Sequence, residues 1–138
     1  MKASELRIGN YVNVPNYEQC PFRIDAFEHC SEKFIKVAQE VKLNGFEVHP
    51  ITWYGDNLQP IPLTVEWLLK FGFEKSGLWT YVIELQGNLK LVYYLGEKGW
   101  SIGFKSYSDF SNLYYVHQLQ NLYFALIGEE LTIKKQNQ

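Results

Sequence analysis

The stretch Gly99-Trp100-Ser101-Ile102-Gly103 has the form G-x-S-x-G, and Asp109 and His117 follow it in the order a hydrolase triad takes. That elbow needs a strand, a strained turn and then a helix, set on a large parallel sheet. Here the two glycines flank an alternating strand pattern, no helical pattern follows directly, and the chain is short for that fold. Ser101 therefore reads as a strand residue. Cys20, His29, Cys30 and His49 are of the types that bind zinc. Structural zinc uses close Cys pairs and short His spacings, which these four lack, so no metal is expected. His117, at the start of the last helical pattern, reads as a neutral imidazole, exposed or donating to a carbonyl, because the sequence supplies it with neither a nucleophile nor an acidic orienter. The sequence has no Gly-rich phosphate loop, dinucleotide fingerprint or EF-hand pattern. No catalytic residue and no cofactor is expected.

The aromatic residues remain as candidates for recognition. Trp53-Tyr54, Tyr93-Tyr94 and Tyr114-Tyr115 are adjacent pairs on strands or strand ends, so alternation sends one ring of each pair to each face. One face is core; the other is either covered or open. The candidates for an exposed patch are Trp53 and Tyr54, and Tyr107, Phe110 and Tyr115 before the last helix.

The elements that would position these residues fall into two halves. In the first, Leu6–Ile8 and Tyr11–Val14 read as strands around a bulge or turn at Gly9-Asn10. Phe22, Ile24 and Ala26 alternate with Arg23 and Asp25, and Phe34–Ala38 makes a further strand. Asn44-Gly45 between Val41–Leu43 and Phe46–His49 is a hairpin signal, because both turn positions favour positive φ. Residues 1–58 thus predict a small, β-barrel-like half of the SH3 kind. Pro60 and Pro62 hold the chain extended at the junction.

The second half, 59–138, begins with a helix over 64–71. Thr64 is its N-cap, Glu66 and Lys70 suit its two ends, and Gly72 suits the left-handed position after it. Val65, Leu68 and Leu69 are expected to dock, and the apolar residues around this helix predict burial on more than one side. An antiparallel meander follows over 78–104, with Leu113–Tyr115 as a fourth strand. The last helix, 116–127, carries Leu119, Leu122, Tyr123 and Leu126 on one stripe and ends at Gly128. Leu131 and Ile133 add a final strand. The whole is an α+β chain in one compact unit.

Composition narrows the partners. The 138 residues are 46% hydrophobic, 20% charged and 17% aromatic, with a net charge of -2 spread evenly along the chain. No basic cluster of the kind duplex DNA demands is visible, so strong duplex binding is not expected. No apolar run is long enough to span a membrane, the start lacks a secretory pattern, and two cysteines are too few for a disulfide scaffold. A cytoplasmic setting is expected.

Three stretches carry a resemblance. Leu6-Arg7-Ile8-Gly9-Asn10-Tyr11-Val12 is the first, the run from Pro60 to Phe73 (PIPLTVEWLLKFGF) the second, and the run from Val116 to Leu131 (VHQLQNLYFALIGEEL) the third. Together they resemble small uncharacterised proteins carried by prophages and mobile elements of gut bacteria. The resemblance implies a phage or mobile-element origin and brings no activity with it. The function expected is that of a non-catalytic binding or adaptor protein whose partner is another protein, a second copy of itself included. A nucleic-acid accessory protein and an enzyme whose site assembles from scattered residues are the alternatives.

Overall fold

The computed structural model describes residues 5–14, 21–27, 34–39, 51–54, 58–87, 89–95, 99–102 and 113–134, and the structural statements below concern these. The chain is α+β, with two four-stranded antiparallel sheets and two helices. It divides into two compact units. Unit 1 takes Met1–Pro62 with Tyr115–Leu122, and unit 2 takes Leu63–Tyr114 with Tyr123–Gln138.

Unit 1 holds β1 (Tyr11–Val12), β2 (Phe22–Phe27), β3 (Phe34–Gln39) and β4 (Ile51–Tyr54), paired in sequence order. The alternation around Phe22 is the reason for β2: Phe22 and Ile24 are buried while Arg23 between them is half-buried. The register then slips, from Ile24 opposite Val37 to Ala26 opposite Lys36, which makes Asp25 the extra residue of a bulge. The sheet is open among the described residues, with β1 and β4 at its edges, so the expected barrel-like closure is replaced by a four-stranded meander. Leu6–Ile8 is also not a strand. Gly9 turns at φ 97, Asn10 N–H donates to Arg7 O, and Arg7 N–H donates to Asn10 Oδ1, so the chain bends where strand pairing was expected. The Asn44-Gly45 hairpin lies outside the described residues. Tyr11, Val12, Val14, Leu58, Ile61, Val116 and Leu119 join Phe22 and Ile24 among the buried apolar side chains of this unit.

In unit 2, α1 (Val65–Lys70) begins and ends as its sequence dictates. Thr64 Oγ1 accepts from Trp67 N at 3.4 Å. At the other end, Gly72 N–H donates to Leu69 O and Phe73 N–H to Leu68 O, both at 3.0 Å, with Gly72 at φ 96. These two bonds make a Schellman motif, which needs the left-handed residue that glycine provides. Lys70 Nζ sits 4.8 Å from the Trp67 ring centroid. Burial on α1 is one-sided. Trp67 and Leu68 are buried, but Leu69 is 52% exposed, contrary to the expected docking of Leu69.

The meander is β6 (Thr80–Glu84), β7 (Lys90–Tyr94) and β8 (Gly99–Ile102), with β5 (Glu74–Lys75) added at the β6 edge. The fourth strand is therefore β5, and not Leu113–Tyr115: Tyr115 instead forms an isolated bridge with Pro62. Leu78, where the meander was expected to begin, and Leu89 within its expected span lie outside the strands and are exposed. The last helix, α2 (Val116–Ile127), ends where Gly128 takes φ 75. Its buried residues are Val116, His117, Leu119 and Gln120, while Leu126 of the expected stripe is exposed. Leu131 is buried without forming a strand; three residues on, Lys134 N–H donates to Lys70 O at 2.8 Å.

Because Leu68 is only 1% exposed and Leu69 is largely open, two neighbouring substitutions should differ sharply. Leu68→Ala should cost about 2–4 kcal/mol of unfolding free energy, whereas Leu69→Ala should stay within about 0.5 kcal/mol. Urea titration of both variants checks this; equal losses would mean that the helix is docked in another orientation.

Candidate functional site

Of the residues singled out for chemistry, Ser101 and His117 lie among the described residues. Ser101 lies inside β8 opposite Val92, with Trp100 and Ile102 paired on either side of it. A nucleophile elbow puts its serine at a strand-to-helix turn, whereas Ser101 here is a strand residue. Asp109 lies outside the described residues, as do Cys20, His29, Cys30 and His49. Among the described residues no group of three His, Cys, Asp or Glu is arranged to hold a metal ion.

Of the aromatic candidates, Trp53 and Tyr54 fall on the edge strand β4, opposite Ile35 and Phe34. Tyr107 and Phe110 lie outside the described residues. Tyr115 is half-buried, with its ring stacked on His117 at 5.9 Å between centroids and 13° between planes. The large side chains that the structure does expose are others, foremost Leu78 (77%) and Trp79 (63%). Sequence reasoning placed these two inside a strand, and the Ser76-Gly77 pair before them was the available turn signal.

Unit 1 contains a polar cluster that apolar periodicity does not reveal. Gln120 is fully buried on α2, and its side-chain amide spans the turn before β1. Gln120 Oε1 accepts from Tyr11 N at 2.8 Å, and Gln120 Nε2 donates to Gly9 O at 3.0 Å. Beside it, Asn121 Oδ1 accepts from Asn10 Nδ2 at 3.0 Å, and Asn121 Nδ2 donates to Glu5 O at 3.0 Å. Asn10 is itself fully buried. A buried amide is tolerated when its donors and acceptors are met; backbone groups meet those of Gln120, and the Arg7 N–H and the Asn121 side chain meet those of Asn10. The arrangement ties α2 to the turn before β1, with Gln120 and Asn10 buried and Asn121 half-buried at its rim.

His117 is buried under the same helix, and its Nδ1 finds no hydrogen-bond partner among the described residues. Burial pushes its pKa below the ordinary 6.5, opposed by the negative charge of Glu5. The imidazole therefore stays neutral where a free one would begin to charge.

Among the described residues, unit 2 offers an open cleft of about 710 Å³ along β5, β6 and β7. Register builds its floor in three rows. Thr80 stands opposite Tyr94, Val82 opposite Val92, and Glu84 opposite Lys90. On the β5 side, Glu74 is level with Val82, and Ser76 N–H donates to Thr80 O at 2.8 Å. Hydroxyls thus occupy one end, valines the middle and charges the other end. Gly72, Lys75, Ile83, Lys134 and, from α2, Tyr123 also line it. A Cβ placed on Gly72 would come within 3.0 Å of Lys134 Cγ and 3.2 Å of its Cε, so the Lys134 stem runs along Gly72. Burial and then Glu129 raise the pKa of Tyr123, which keeps its phenol protonated. The reverse face of the sheet is core, with Tyr81 and Leu91 buried.

No helix among the described residues is long and apolar enough to cross a membrane. No protein-family model, curated protein or solved structure matches the chain.

Two outcomes follow from the unit 1 cluster. Gln120→Leu removes an amide while leaving Tyr11 N–H and Gly9 C=O without that partner, so it should cost about 2–6 kcal/mol, on the basis of roughly 1–3 kcal/mol per orphaned group; a loss under about 1 kcal/mol in urea would show that water replaces the amide. For His117 the folded pKa lies below the unfolded one, so the unfolded chain takes up the proton first as pH falls. Stability should be full above the ordinary value near 6.5 and decline below it. Titration in urea at a series of pH values from about 7.5 to 5 should give a shallower decline for His117→Phe than for the native chain. Parallel declines would remove His117 as the cause.

Proposed function

We propose that this protein is a non-catalytic binding module of phage or mobile-element origin. In this reading it works in the cytoplasm and contacts another protein through the Gly77–Trp79 turn of unit 2. One observation carries the reading: Leu78 and Trp79 stand largely in solvent on a backbone that is tied at both ends. Ser76 N–H bonds Thr80 O, Leu95 N–H bonds Trp79 O, both at 2.8 Å, and Gly77 takes φ 81 between them. A Leu-Trp pair fixed in water costs solvation without contributing to the core, and rigid exposed Trp is a frequent anchor of protein interfaces. Unit 1, read as an SH3-like scaffold, adds the antiparallel meander such a fold contains.

A second reading, contact with single-stranded nucleic acid, draws on the lysines and tyrosines of the cleft, since such sites combine cations with rings that stack bases. Glu74 and Glu84 in the same lining oppose it.

The test compares the native chain with Trp79→Ala. Capture of partner protein from bacterial lysate should fall about tenfold or more, the effect of losing an anchor worth over 1 kcal/mol. The unfolding free energy should change by less than about 0.5 kcal/mol, as for other exposed positions. Undiminished capture would sink the reading. Gel-shift titration over a salt series should give little binding to duplex or single-stranded DNA, and sub-micromolar binding that weakens steeply with salt would transfer the case to the second reading.

A further inference from the structure

His117 is a buried titratable group that the binding reading does not use. It is 2% exposed, and its Nδ1 meets no hydrogen-bond partner among the described residues. A neutral imidazole tolerates this, because the bare nitrogen is then only an unused acceptor. The imidazolium does not: it must place an N–H there, on a charged ring, with no acceptor to meet it. Position adds to the cost. His117 is the second residue of α2, where the helix dipole opposes a cation. Its ring stacks on that of Tyr115. Burial opposes the charged form, the Glu5 carboxylate favours it, and the charge of the amino terminus opposes it. Arg7, on the same segment as Glu5, sets a further positive charge against this face of α2, with its Nη1 donating to Asn121 Oδ1 at 3.4 Å.

The neighbours of His117 on the helix give this group a consequence. Residues 117, 120 and 121 share one face of α2, at i, i+3 and i+4. Gln120 holds Tyr11 N–H and Gly9 C=O on the outer edge of β1, and Asn121 holds Glu5 and Asn10. The turn that carries His117 is held by few bonds. Val116 N–H donates to Ile61 O at 2.9 Å, Tyr115 N–H to Gln118 Oε1 at 3.1 Å, and Leu119 N–H to Tyr115 O at 3.3 Å. Lifting that one turn lets water reach an imidazolium at less cost than unfolding the unit. Gln120, one turn along on the same face, lifts with it. We propose that protonation of His117 releases the first turn of α2, withdraws Gln120 from Gly9 and Tyr11, and so opens the outer edge of β1 in mild acid. This gate is independent of the Trp79 contact. The open form takes up the proton first, so the gate is closed above the ordinary imidazole value near 6.5 and opens as pH falls below it.

Amide hydrogen exchange of the isotope-labelled full-length protein, read by NMR and corrected for the intrinsic exchange rate at each pH, tests this. Between about pH 7.5 and 5.5, one unit either side of the ordinary imidazole value, opening at the Tyr11 and Val116 amides should rise towards about tenfold. The amides of the β2–β3 ladder should change by less than about twofold over the same range. A flat profile at Tyr11 and Val116 would overturn the proposal. So would an equal rise in the ladder, which would mean that the unit unfolds as a whole. His117→Phe keeps a ring against Tyr115 and takes up no proton, so its profile should be flat. His117→Gln also takes up no proton but loses the ring, so its profile should be flat at a higher level of opening. A pH-dependent rise that persists in either variant would assign the release to another group and sink the idea. The comparison of Tyr11 and Val116 with the ladder uses the native chain alone, so it decides the matter even where a variant does not fold.

Discussion

The outer edge of β1 is the constraint on which unit 1 depends. β1 is a two-residue edge strand, paired on its inner side with β2. An edge strand leaves every second N–H and C=O pointing away from the sheet, and in a buried position each such group must find a partner. Gln59 supplies one stretch of that edge: it exchanges two bonds with Asn13, 2.8 and 2.9 Å long. Gln120 supplies the next, accepting from Tyr11 N and donating to Gly9 O. A glutamine amide has the same acceptor and donor as a peptide group. One side chain on a helix thus does what one residue of a fifth strand would do, and the edge is closed without a strand being spent on it.

This arrangement fixes the helix as much as the sheet. Gln120 meets both of its bonds only with α2 in one rotation and one height against the Gly9-Asn10 turn. Asn121 then falls beside Asn10 and Glu5. The apolar residues Val116 and Leu119 have room for other rotations; a directional amide pair does not, which is how a buried polar group confers specificity where apolar packing alone is permissive.

Local signals were well written in the sequence. Thr64, Glu66, Lys70 and Gly72 marked both ends of α1, and the structure has the N-cap bond and the Schellman bonds at those residues. Gly128 closed α2 for the same reason. Tertiary signals were weaker. Apolar periodicity counts only apolar residues, so it selected Leu126, which is exposed, and passed over Gln120, which is not. Alternation likewise placed Leu78 and Trp79 in a strand, because it cannot tell a side chain that faces a core from one that faces water. The cleft was illegible for a further reason. Its floor is polar at both ends, as solvated strand faces are, and its walls come from residues 72, 123 and 134, which only the fold brings to one place.

The titration behaviour of the described residues bears on what kind of protein this is. Catalytic groups are tuned so that a nucleophile or base is reactive near neutral pH. The shifts resolved among the described residues run the other way. Burial raises the pKa of Tyr93, burial and Glu129 raise that of Tyr123, and burial lowers that of His117. Each keeps its group neutral: two phenols hold their protons and an imidazole declines one. Tyr123 lines the cleft, so it offers a ligand a phenol O–H, with no phenolate for attack. Val82 beside it is half-buried and Val92 largely buried, so they bring apolar surface without chemistry. A surface built from protonated hydroxyls, valines and charged side chains can discriminate between ligands by shape and sign, which is what the proposed binding role asks of a surface.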